Sequence, residues 1–73
     1  MPSQITPLIL TFNEAPNIER TLARLTWAAR IVVVDSFSTD ETQAICQRFP
    51  QVDFIPRTFE SFAAQCNFGL SQI

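Results

Sequence analysis

Two acidic residues, Asp35 and Glu14, stand where this chain could do chemistry. Asp35 closes the apolar run Ile31-Val32-Val33-Val34. Glu14 closes the polar group Thr11-Phe12-Asn13-Glu14, which follows Leu8-Ile9-Leu10. In open α/β sheets, ligands bind in the crevice outside the carboxyl ends of the strands, so Asp35 stands where a bound nucleotide would meet the sheet. An ionised carboxylate accepts hydrogen bonds from both N–H and O–H donors. Thr11, Phe12, Asn13, Glu14 and Asp35 are therefore candidate binding residues. Each polar one also has a plainer reading. Asp35 could end a strand and hold a turn, Asn13 could bridge the turn backbone, and Glu14 could be a solvated acid favoured by the dipole of the following helix.

Other chemistries find little support. The chain has no histidine, and its two cysteines, Cys46 and Cys66, fall in separate predicted helices without a CxxC pair. That argues against a zinc site and a Cys–His nucleophile, and both thiols read as reduced packing residues. Gly69 is the sole glycine, which excludes a Gly-x-Gly-x-x-Gly dinucleotide turn. A receiver-like module would want a lysine, and there is none. The balance of five basic and seven acidic residues, net −2, argues against nucleic acid or an anionic membrane surface as the main partner. No apolar stretch approaches the roughly 20 residues of a membrane span, and no secretion signal is visible. A cytoplasmic location is the expectation.

The elements that must position these residues alternate. Ile5 to Phe12 reads as a first strand, with Pro7 tolerated near its start. Pro16 suits the first turn of a helix whose stripe is Ile18, Leu22 and Leu25, with Arg20 and Arg24 facing water and Trp27 packing at its end. Ile31 to Val34 is a second, β-branched strand. Ser38 and Glu41 match a capping box for a second helix, which buries Ala44, Ile45 and Phe49 and stops at Pro50. Ser38, Thr39 and Asp40 thus read as helix caps and not as ligands. Val52 to Ile55 is a third strand. From Ser61 onward a third helix follows, with Phe59, Ala63, Cys66, Leu70 and Ile73 at helical spacing. This order predicts an α/β fold, βαβαβα, with a three-stranded parallel sheet of order 3-2-1 and helices on both faces: a Rossmann-like half-domain. At 73 residues it is one small domain, marginal without staples or partners.

Three runs carry a family resemblance. Leu8 to Glu14, Ile31 to Asp40 and Phe62-Ala63-Ala64-Gln65-Cys66-Asn67-Phe68 resemble, in order, the N-terminal part of a family 2 glycosyltransferase with the GT-A fold. The likeness is greatest to the branch of lipopolysaccharide-core glucosyltransferases, hence to cell-envelope polysaccharide synthesis. The resemblance implies a nucleotide-sugar donor, commonly a UDP sugar, and a glycan or lipid-linked acceptor. It places Thr11 and Phe12 along the base, Glu14 at a ribose hydroxyl and Asp35 at the base or ribose, and it adds Asn67 to the nucleotide-binding set. Many relatives carry a cation just before that asparagine, where this chain has Cys66. A full-length relative would bind Mn²⁺ or Mg²⁺ through an Asp-x-Asp motif and use a later acidic general base. Neither falls within these residues, so no catalytic residue and no metal ligand is assigned and no transfer activity is expected.

A fourth strand beside the first is also missing, so residues 1–73 read as an incomplete nucleotide-binding portion. The alternative is a non-catalytic remnant stabilised by homo-oligomerisation. An unpaired first-strand edge invites a homodimer through that edge, or swapping of the third helix.

Overall fold

A computed structural model of the chain describes residues 5–73; the domain reading of 1–73 therefore includes four residues outside the described ones. Three strands alternate with three helices: β1 (Leu8–Thr11), α1 (Ala15–Ala23), β2 (Ile31–Asp35), α2 (Thr42–Cys46), β3 (Val52–Pro56) and α3 (Phe62–Ser71). The sheet runs β1-β2-β3, all parallel, with Ile9 beside Val33 and Val33 beside Phe54. This is the expected α/β architecture and strand order.

The register explains the layers. Partnered residues of parallel strands share a face. Ile9, Val33 and Phe54 therefore point one way, where Ile18 and Leu22 of α1 and Ile45 and Cys46 of α2 complete the core. Leu8, Val32, Leu10 and Val34 point the other way, and α3 lies over them with Gly69 against Leu8. A Cβ at position 69 would run into the Leu8 methyls, so the only glycine permits this close approach. Every residue of β2 is buried, as a central strand covered on both sides must be.

Several local expectations need correction. β1 is shorter than Ile5 to Phe12. Pro7 stands just before it with its carbonyl accepting from Val32 N–H at 2.9 Å, and Ile5 is exposed. The Ser38/Glu41 capping box does not form. Helix α2 begins only at Thr42, and Glu41 at its boundary makes no capping bond. Asp40 does the work instead, accepting from the Thr42 amide at 2.9 Å and from its hydroxyl. Ala44 is exposed and Cys46 takes its place in the core. Trp27 is 46 % exposed, in the turn beyond α1. Most consequential is α3, whose buried residues are Gln65 and Gly69. Its apolar stripe faces outward, leaving Phe59, Phe62, Leu70 and Ile73 exposed.

Candidate functional site

The carboxyl ends of the three strands are level: Thr11, Asp35 and Pro56 are register partners across the sheet. The loops that leave β1 and β2 are tied together. Asn13, with a positive φ of 51°, donates its N–H to Ser38 Oγ at 2.8 Å and accepts at its amide oxygen from Thr39 N–H at 2.8 Å. Glu14 N–H donates to Thr42 Oγ1 at 2.9 Å, and Ala15 N–H to Asp40 Oδ2 at 3.2 Å. Five of the short polar residues between Asn13 and Thr42 thus act as one clasp between the start of α1 and the start of α2. Phe37, the other non-glycine residue with positive φ, at 54°, turns the second loop toward the first.

Asp35 lies beneath this clasp. It is buried, accepting from Thr11 Oγ1 at 2.6 Å, from Ser38 N–H at 2.7 Å and from the Ser38 hydroxyl. Three donors converge on one carboxylate, which fixes both loops relative to the sheet. The Asp35 charge and burial together push the nearby Cys46 thiol up to about 11, burial being the larger cause.

The open part of the site is a cleft of about 200 Å³ lined by Leu10, Thr11, Phe12, Glu14, Ser36, Phe59, Phe62 and Gln65. It adjoins an apolar hollow of about 370 Å³ formed by Phe12, Ser36 and Phe59. Of the six residues singled out from sequence, Thr11, Phe12 and Glu14 line the cleft. Asn13 belongs to the clasp and Asp35 to the floor. Asn67 is exposed on α3, two residues and hence roughly 200° around the helix from Gln65. The structure does not bring it to the others.

Sequence reasoning missed Ser36, Phe59, Phe62 and Gln65. Gln65 is buried, donates from Nε2 to Ser36 Oγ at 3.2 Å and leaves Oε1 without a partner among the described residues. The signal was present as a polar residue one helical turn before the lone glycine. Arg57 follows β3, its amide donating to the Asp35 carbonyl at 2.8 Å. Its guanidinium donates to the Ala64 carbonyl at 3.1 Å and lies 4.4 Å from the Phe68 ring centre. A larger hollow of about 420 Å³ lies along Asn17, Arg20, Thr21, Arg24 and Leu25 of α1 and the turn after it. It shares no residue with the strand ends, and size alone does not make it a site. Among the described residues no three His, Cys, Asp or Glu side chains come together as metal ligands, and no helix is long and apolar enough to cross a membrane.

An open parallel α/β sheet whose strand ends carry a polar, ordered crevice defines the class: a Rossmann-like fold of the kind that binds ligands at its carboxyl edge. Within that class, the model of glycosyl transferase family 2 matches residues 7–73, and the chain belongs to that family. Neither the curated proteins nor the solved structures gave a match.

Proposed function

We propose that this chain is the donor-nucleotide-binding portion of a family 2 glycosyltransferase, taking a UDP sugar for transfer to a glycan or lipid-linked acceptor. The resemblance to lipopolysaccharide-core enzymes favours a cell-envelope glycan. The observation that carries this reading is the cleft between β1, β2 and α3, at the strand ends of a chain in a glycosyltransferase family. Phe12 offers an exposed ring for a base, and Glu14 a carboxylate at the rim for a ribose hydroxyl. Asp35 acts from below, holding Thr11 and Ser38 in place. Transfer itself is not expected of these 73 residues: no general base or metal-binding group is assigned among them.

Calorimetric titration of the 73-residue chain with UDP tests the reading, with inorganic diphosphate as the comparison. Saturable binding of UDP but not of diphosphate is expected. Phe12→Ala should weaken it by about 5- to 10-fold, the scale of one lost aromatic contact. Glu14→Gln should weaken it less. Absence of saturable heat with UDP, or equal binding by the Phe12→Ala variant, would overturn the assignment.

A further inference from the structure

Asp35 is the acid that sequence reasoning set at the base or ribose, yet it is not among the residues that line the cleft. It is buried and engaged by three donors, the Thr11 hydroxyl and the Ser38 amide and hydroxyl. A carboxylate held in this way fixes loops and has little left to offer a ligand. The cleft wall carries a different acceptor. Gln65 is 1 % exposed and lines the cleft, and its Oε1 has no hydrogen-bond partner among the described residues. Buried polar groups are nearly always partnered, and the cost of one that is not is recovered only when a donor arrives.

Ser36 stands beside it. Its Oγ accepts from Gln65 Nε2 at 3.2 Å, and it lines both the cleft and the adjoining apolar hollow. A serine hydroxyl that accepts one bond still has a proton to give. Gln65 and Ser36 thus offer an acceptor and a donor side by side. Ser36 directly follows β2, the central strand, and α3 packs against both β1 and β2. The pair therefore lies between elements of the described chain and not on the open edge of β1.

An acceptor beside a donor is the complement of an imide edge, a ring N–H next to a carbonyl. Uracil has that edge. Cytosine has a bare ring nitrogen there, which would set its lone pair against Oε1, and an amino group where uracil has a carbonyl. We infer that Gln65, and not Asp35, accepts the ring N–H of the donor base, with the Ser36 hydroxyl donating to the neighbouring carbonyl, and that this pair selects uracil over cytosine. The inference rests on the nucleotide-binding reading above and adds to it the group that reads the base. Oε1 is closed to water in this conformation, so a base reaches it by displacing a side chain. Phe59 and Phe62 line the same cleft at 53 % and 69 % exposure, and exposed side chains change rotamer quickly.

Calorimetric titration with UDP and with CDP tests this in the parent, in Gln65→Met and in Ser36→Ala. The parent should bind UDP on the order of 10-fold tighter than CDP, the scale of one buried acceptor left without its donor. Gln65→Met should bring the two affinities together, weakening UDP and leaving CDP unchanged or tighter. Ser36→Ala frees the amide to turn and should narrow the ratio as well. Damage to packing would weaken both nucleotides alike, so the ratio reports base reading and not folding. UDP binding matched by CDP binding, which a turned amide would permit, overturns the inference and leaves the nucleotide reading standing. So does a UDP preference that survives Gln65→Met, or that survives Ser36→Ala where Gln65→Met does not fold. No saturable binding of either nucleotide by the parent overturns both.

Discussion

Gln65 sits in a largely apolar stretch of α3 with one amide oxygen that no group among the described residues satisfies. A buried orphan acceptor costs about 1–3 kcal/mol, whereas an apolar replacement of similar shape can be neutral or stabilising. Holding such a group against the cleft makes sense where it serves an N–H donor on a ligand, and the ring N–H of a pyrimidine base is one. Gln65→Met keeps the volume and removes both amide ends. Its thermal midpoint is expected to equal or exceed the parent's, while UDP binding weakens. A variant that loses stability and keeps its UDP affinity would make Gln65 a structural residue only. Sequence reasoning passed over Gln65 because glutamine in a helix is ordinarily a surface residue. Burial and the missing partner are properties of three-dimensional packing, which the apolar pattern of α3 misreports.

Among the elements, legibility followed the distance over which each signal acts. The β-branched run Ile31 to Val34 and the one-sided stripe Ile18, Leu22 of α1 are local patterns, and both became what their periodicity implies. The clasp could not be read that way. Ser38 and Glu41 have capping-box spacing, yet the Ser38 hydroxyl is claimed by Asn13 and Asp35 across the sheet, and tertiary bonds won over a local cap. Asp40 holds both helix starts, and the Thr42 hydroxyl, followed by backbone amides of Thr42 and Ala15, pulls its carboxyl below the ordinary 3.8. A depressed folded value means its contribution is present above 3.8 and is lost as pH falls through the lower, folded value. Urea midpoints of the parent and Asp40→Asn should therefore differ at pH 6 and converge below pH 3.8. A gap that stays constant over that range would show the charge of Asp40 to be irrelevant to the clasp. The Gly69–Leu8 contact makes a second test at this scale. Replacing glycine by alanine inside a helix gains about 1 kcal/mol, but here the added methyl collides with the Leu8 side chain. Gly69→Ala should stabilise a Leu8→Ala background by about that amount and fail to stabilise the parent. Equal effects in both backgrounds would mean that α3 does not pack as closely as described.

For the whole molecule, the two faces of the sheet are unequal. One carries a closed core of Ile18, Leu22, Ile31, Val33, Ile45 and Cys46; the other rests under α3, whose buried side is a glutamine and a glycine. A chain of this size buries only about 60% of its unfolded surface, so the thinner face leaves a marginal fold that a bound ligand should stabilise measurably. A ligand that binds the folded state raises apparent stability by mass action. The two thiols give a probe for this. Cys46 is buried in the core, with its thiol held to about 11, while Cys66 is half-exposed on α3. A thiol reagent at pH 8 should label Cys66 quickly. Cys46 should be labelled only when the core opens. Because UDP is expected to bind the folded cleft, that slow rate should fall as UDP is raised, and Phe12→Ala should weaken the dependence. A Cys46 rate that ignores UDP would show that the strand-end cleft does not hold the nucleotide in the folded state.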